Sequence, residues 1–207
     1  MLICENITLI IKKKTILKNI SMSFDNGKIY GLIGNNGCGK TMLMKVICGL
    51  ISPTEGKVVL DGKVIGKDVD HLPDAGVIIE NPGFISFYNG LENLILLAGI
   101  KHKPDKKHLM EVMHMVGLDP SLKISVGKYS LGMRQRLGIA QAIMENQKIL
   151  ILDEPMNGLD RNGVEEIRNI LMKKKKEGKL ILLASHNRED IEILCDKVFV
   201  MDAGELI

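Results

Sequence analysis

The sequence predicts a mixed α/β fold: a mainly parallel sheet covered by helices, an N-terminal antiparallel β subdomain, and a helical insertion subdomain. Three observations carry it. Short apolar runs alternate with helix-period stretches after about residue 146, which implies parallel strands buried on both faces. The amino-terminal third reads as strands and a hairpin, and from about 83 to 145 the pattern is helical throughout.

Taken in order, Leu2 to Ile10 and Thr15 to Phe24 read as strands separated by Lys12-Lys13-Lys14, and they lead into the apolar run Ile29 to Ile33. Met42, Leu43, Val46, Ile47 and Leu50 recur at helical spacing until Gly49 and Pro53 stop the pattern. Gly56 to Leu60 and Lys63 to Ile65 flank Asp61-Gly62, a hairpin signal expected to join the amino-terminal strands. Gly76 to Ile79 is a buried strand that ends at Glu80, and Asn81-Pro82-Gly83 breaks it. Helices follow around Leu91 to Ala98 and Leu109 to Val116, and a third opens at Ser130, a good N-cap, with Met133, Leu137, Ala140 and Met144 on one face. The alternation then resumes: Lys148 to Leu152 as strand, Val164 to Lys175 as helix, Leu180 to Ala184 as strand, Arg188 to Cys195 as helix and Val198 to Met201 as strand. One folding unit is expected over 1–207, with 1–82 and 146–207 as the core plus β subdomain and 83–145 as the helical subdomain.

Composition narrows the function classes. The net charge is only +3, and aromatic residues make up 3% of the chain with no Trp, so neither general nucleic-acid binding nor a base-stacking platform is implied. The lysine run 173–176 is expected on a solvated helix end. Cys4, Cys38, Cys48 and Cys195 are widely separated, without C-x-x-C or histidine at ligand spacing, which suggests neither a zinc site nor a disulfide framework. The amino terminus lacks signal-peptide design and no window approaches the ~20 apolar residues that span a bilayer, so a soluble chain with no carboxy-terminal regulatory domain is expected.

The chemistry centres on Gly34-Asn35-Asn36-Gly37-Cys38-Gly39-Lys40-Thr41, which fits G-x-x-x-x-G-K-[ST] at every fixed position, between a strand and a helix. Glycines let backbone N–H groups surround phosphate oxygens at a helix N-terminus; Lys40 adds a mobile positive charge and Thr41 a hydroxyl for a metal. The motif and its setting imply a P-loop NTPase core, expected to bind a nucleoside triphosphate, ATP with Mg²⁺. Ile149 to Leu152 then delivers Asp153 and Glu154 at the carboxyl edge, where open α/β sheets bind ligands. Asp153 can hold Mg²⁺, and Glu154, pointing elsewhere on the strand, can orient or deprotonate the attacking water. His186 follows the strand Leu180 to Ala184, so it projects from the same edge toward the γ-phosphate.

With these residues, together with Tyr129-Ser130-Leu131-Gly132-Met133-Arg134-Gln135-Arg136 and Asp153-Glu154-Pro155 followed by Asn157-Gly158-Leu159-Asp160, the chain resembles the ATP-binding cassette family along essentially its whole length, in particular a transporter's nucleotide-binding subunit. The resemblance implies a head-to-tail dimer, each ATP held by the phosphate loop of one subunit and by Ser130 and Gly132 of the other, with Asp160 crossing the interface. It also implies a separate transmembrane permease docked near Asn81 to Leu97, hence a place at the cytoplasmic face of the membrane, and no nucleic-acid partner.

Three departures stand out. The aromatic residue usual before the first lysine cluster is replaced in Ile10-Ile11-Lys12, which weakens base stacking. The signature carries Leu131 and Met133 in place of the usual glycine and glutamine. Where the family has a glutamine touching Mg²⁺, this chain has Glu80, a carboxylate that can ligate the metal more strongly yet adds charge near the triphosphate. The last two features look like cassettes of the bacitracin-resistance and lantibiotic-immunity type, which suggests export of peptide antibiotics. The other readings are a cytosolic cassette protein acting on nucleic acid or the ribosome, whose usual second cassette or coiled-coil insertion does not fit in 207 residues, and a kinase, which leaves Ser130 to Arg136 unexplained.

Overall fold

The computed structural model describes residues 1–80, 83–101 and 103–207. Strands β1 (Leu2–Ile11) and β2 (Lys14–Phe24) form a hairpin, β3 (Ile29–Gly34) starts a second sheet, and α1 (Lys40–Ile47) follows it. Strands β4 (Glu55–Leu60) and β5 (Lys63–Val64) return to the first sheet; β6 (Ala75–Ile78) belongs to the second and precedes α2 (Gly90–Ala98), α3 (Lys106–Met115) and α4 (Leu131–Ile143). The chain then runs β7 (Ile149–Asp153), α5 (Arg161–Lys176), β8 (Leu180–Ala184), α6 (Arg188–Leu194), β9 (Lys197–Asp202) and β10 (Glu205–Leu206).

The first sheet is antiparallel in the order β2-β1-β4-β5, so the hairpin at Asp61-Gly62 does join the amino-terminal strands. Both turn residues sit at positive φ, 48° and 84°, as a two-residue hairpin between right-twisted strands requires. The second sheet has the order β10-β9-β3-β8-β7-β6 and is parallel except for β10. The β9–β10 hairpin is an addition to the expected elements. Its turn, Ala203-Gly204, repeats the positive-φ pair at 44° and 86°, and Lys18 N–H donates to Gly204 O at 2.8 Å, tying the two sheets together.

Period-two alternation explains why the parallel strands read as unbroken apolar runs. Ile149, Ile151, Leu180, Leu182 and Ala184 face one core, shared with α1 and the antiparallel sheet, while Leu150, Leu152, Ile181 and Leu183 face another, shared with α2 to α6. All four cysteines are free; burial pushes the thiols of Cys4 and Cys48 up to about 12, so they remain protonated and pack as small apolar groups. The lysine run at the end of α5 is less solvated than expected. Lys174 and Lys175 are only 13% and 23% exposed, paired with Glu177 and Asp196, because their long stems lie along the protein surface beside the helix carboxyl end. No helix among the described residues is long and apolar enough to cross a membrane.

Candidate active site

The site forms where β3, β8 and β7 deliver their carboxyl ends to one edge. Asp153 pairs in register with Ala184, and Ala184 with Leu32, so the acidic pair, the histidine turn and the glycine loop emerge side by side. Strand β8 lies between β3 and β7, which places those two about 10 Å apart at ordinary strand spacing. Thr41, at the start of α1, closes that gap by donating its hydroxyl to Asp153 Oδ2 at 2.6 Å.

The N-terminus of α1 is built to receive an anion. Helices α2 to α6 are capped by the side chains of Asn89, Asp105, Ser130, Asp160 and Asn187, whereas α1 begins after Gly39 with no side-chain cap and no acid in its first turn. Its first-turn N–H groups therefore stay available, with the helix dipole behind them. Gly39 has φ of 109°, a backbone conformation that side-chain-bearing residues rarely adopt, and a Cβ there would also crowd Leu17 Cδ2 at 2.9 Å. The Lys40 ammonium spans the loop, donating to Gly34 O at 2.7 Å and Asn35 O at 3.2 Å, with Cys38 Sγ 4.0 Å away.

Asn36, Gly37, Gly39, Lys40, Thr41, Asp153 and Glu154 line one cleft of about 360 Å³. Sequence reasoning missed Ile16, which lines it too. Leu9 pairs with Leu17 but Ile10 with Thr15, so Ile16 is the extra residue of a β-bulge, and a bulge re-aims a side chain. Nothing in the local sequence marks that bulge. The signal for an aromatic platform at Ile10-Ile11-Lys12 is absent, and an aliphatic side chain borders the cleft instead.

Glu154 has φ of 50°, a left-handed conformation that costs a non-glycine residue about 1–3 kcal/mol unless its surroundings hold it. They do. Its N–H donates to Ala184 O at 2.9 Å, its carbonyl accepts the Asn157 N–H at 3.2 Å and Gln135 Nε2 at 3.3 Å, and its carboxylate Oε2 lies 2.8 Å from His186 Nδ1. An ionised Glu154 can only accept, which fixes a hydrogen on Nδ1. The neutral ring then offers Nε2 as an acceptor, and the doubly protonated ring offers a second donor.

Other predicted residues lie elsewhere. Ser130 caps α4, accepting the Met133 N–H at 3.2 Å, and is exposed. Asp160 caps α5 through the Gly163 N–H at 2.9 Å with its side chain 76% exposed. Neither these two nor Gly132 line the cleft that holds Lys40. Glu80 has φ of 60° and its carboxylate pairs with Lys45 Nζ at 2.8 Å. Asn81 and Pro82, which follow it, lie outside the described residues.

The donor set suits Mg²⁺. Among the described residues no cluster of three or more His, Cys, Asp or Glu could hold a metal alone. A hydroxyl and a carboxylate 2.6 Å apart beside a phosphate loop are the few hard-oxygen ligands that Mg²⁺ takes from a protein when phosphates and waters supply the rest.

Residues 17–157 match the family model described as ABC transporter. The chain belongs to that family. It is an ATPase of the ATP-binding cassette type. The ABC transporter ATP-binding protein YybJ of Bacillus subtilis is 45% identical over 97% of this chain and 92% of its own length. The bacitracin transport ATP-binding protein BcrA of Enterococcus faecalis is 42% identical over 98% of this chain and 67% of its own. The lantibiotic transport ATP-binding protein SrtF of Streptococcus pyogenes is 37% identical over 100% of this chain and 89% of its own. Not every relative is so short: the chain spans 64% of the length of YdbJ of Bacillus subtilis. The fold agrees with a solved ABC cassette, the dimeric structure of MJ0796, at a TM-score of 0.89 and 23% identity, covering 100% of this chain and 96% of that one.

Proposed function

We propose that this cassette is the ATP-hydrolysing subunit of a bacterial exporter of peptide antibiotics. Two copies close head to tail on ATP and drive a separate membrane permease. The observation that carries the catalytic half is the Glu154–His186 pair at 2.8 Å beside the Thr41–Asp153 pair at 2.6 Å, at the mouth of the uncapped helix α1. In this reading Gly34 to Gly39 cradle the phosphates, Lys40 leaves its loop carbonyls for a phosphate oxygen, and Thr41 and Asp153 hold Mg²⁺, which would neutralise phosphate charge when bound. Glu154 orients and deprotonates the attacking water, while His186 steadies Glu154 and contacts the γ-phosphate. Glu80 reaches the metal on release from Lys45.

Ser130, Gly132 and Asp160, exposed or half-exposed and outside the lining of their own subunit's cleft, serve the partner's pocket. Contacts made only with the γ-phosphate favour the closed pair, and hydrolysis removes them. The permease docks on an apolar groove of about 280 Å³ near the carboxyl end of α1, lined by Leu50, Ile85 and Leu96, with Phe87, 75% exposed, two residues after Ile85. The export of peptide antibiotics is supported by likeness to BcrA and SrtF and by Glu80 in place of glutamine.

Glu154→Gln tests the reading. Expected is a loss of turnover of about 10²–10⁴-fold, typical of a removed general base, with retained ATP affinity and an MgATP-dependent dimer in sedimentation. Lys40→Ala is expected to lose nucleotide binding. Normal turnover in Glu154→Gln removes Glu154 from the mechanism, and a stalled variant that stays monomeric with MgATP removes the dimer.

A further inference from the structure

Gln135 lies in the second turn of α4, five residues after Ser130, where a glutamine would ordinarily be solvated; here it is 9% exposed. Its side-chain amide donates to two main-chain carbonyls, Pro155 O at 2.9 Å and Glu154 O at 3.3 Å. The same end of α4 grips the following segment again. A Cβ on Gly132 would stand 2.8 Å from Gly158 O, so helix and loop are in backbone contact there. Arg136 Nη2 lies 3.9 Å from Asp160 Oδ1, while Arg136 Nη1 donates to Val116 O and to Glu166, both at 2.6 Å. The first two turns of α4 and the segment from Glu154 to Asp160 are thus joined along their length, and the left-handed backbone of Glu154 is braced from the helix side by Gln135.

We propose that Gln135 is a positioning residue for Glu154, linking the N-terminus of α4 to the carboxylate of the same subunit. The consequence for regulation rests on the head-to-tail reading above. Ser130 and Gly132 then contact the nucleotide of the partner's pocket, and Gln135 carries that contact to Glu154, which acts on the nucleotide of its own pocket. Occupancy of one pocket is in this way registered at the catalytic carboxylate of the other, through the α4 end that reaches into the first. Glutamine suits the task because its amide presents two N–H donors at a reach that asparagine lacks.

Gln135→Met keeps length and approximate volume and removes both donors; in the full chain it is compared with the unaltered protein in three measurements. Amide exchange without nucleotide is expected to quicken about tenfold over Glu154–Leu159 while the strands β3, β7 and β8 keep their protection. Turnover is expected to fall about tenfold to a hundredfold, the range for a misplaced catalytic group, with KM for MgATP within about twofold. The Hill coefficient for ATP is expected to drop from above one to one. Unchanged exchange with unchanged kcat overturns the positioning role, as does a fall in kcat accompanied by loss of protection throughout the sheet. A reduced kcat with the Hill coefficient retained overturns the link between pockets. If the methionine variant does not fold, Gln135→Glu keeps the shape, sets an acceptor against two acceptors, and is expected to give the same losses. Failure of Glu154→Gln to dimerise overturns the head-to-tail reading separately, because the exchange and kcat measurements decide the role of Gln135 in a single subunit.

Discussion

Arg168 on α5 holds the buried carboxylate of Asp190 on α6 through two hydrogen bonds to one oxygen, Nε at 2.9 Å and Nη2 at 2.6 Å. The other oxygen of Asp190 accepts from Ser185 Oγ at 3.3 Å, and Ser185 Oγ accepts the Asn187 N–H at 3.1 Å. The residues on both sides of His186 are therefore tied to one carboxylate.

Breaking this pair strands a charge in the interior. Arg168→Ala is expected to cost about 3–5 kcal/mol in urea unfolding, because Asp190 is 1% exposed and loses its partner. Replacing both with apolar residues, Arg168→Met with Asp190→Leu, is expected to recover most of that stability but not turnover, since Ser185 and the His186 turn lose their anchor. Full turnover in the double variant would limit the pair to a structural role.

The acid limb of stability has an assignable contributor in Asp196. Burial raises its carboxyl pKa, but the Lys175 ammonium at 2.5 Å and the Ile29 N–H at 2.8 Å outweigh that, and the net shift is downward. A carboxyl depressed in the folded state binds fewer protons there than in the unfolded chain. Its stabilisation is full above the unfolded value, near ~4 for Asp, and is lost as pH falls through the folded value. Asp196→Asn is expected to lower Tm by about 2–4 °C at pH 7, as the loss of about 1 kcal/mol would in a chain of this size, and the difference should shrink as pH falls below the unfolded value of about 4. A constant gap across that range would rule out the charge.

Glu80 offers a clean separation of stability from metal response. Its pair with Lys45 is exposed, so Glu80→Gln is expected to change unfolding free energy by less than about 1 kcal/mol. If the carboxylate reaches Mg²⁺ during turnover, half-saturation in an Mg²⁺ titration of ATPase activity should move by about tenfold, as loss of a group supporting a metal site does. A superimposable titration would leave Glu80 with Lys45 as its only partner.

Much of the frame was legible because its signals are local. The glycine loop needs a strand before it and a helix after it; Asp61-Gly62 dictates its own turn; and the carboxyl-edge rule brings Asp153, Glu154 and His186 together once β7 and β8 are recognised as neighbours. The misses depend on contacts between distant segments. The bulge at Ile16 arises from pairing with β1, the burial of Gln135 from the approach of the loop after β7, and the pairing of Glu80 with Lys45 from the position of α1. The β9–β10 hairpin escaped notice because its turn, Ala203-Gly204, lies between Asp202 and Glu205 and lacks the Asn-Gly or Asp-Gly pair that marks the turn at Asp61-Gly62.

Strand β8 carries no reactive side chain, yet it works as a spacer gauge between the two halves of the pocket. The width of that spacer comes from main-chain hydrogen bonding, which is indifferent to whether a leucine or an isoleucine hangs from either face. Side chains along β8 can therefore be exchanged for others of similar volume without altering the spacing from loop to carboxylates, which is compatible with a frame shared at a TM-score of 0.89 by chains 23% identical.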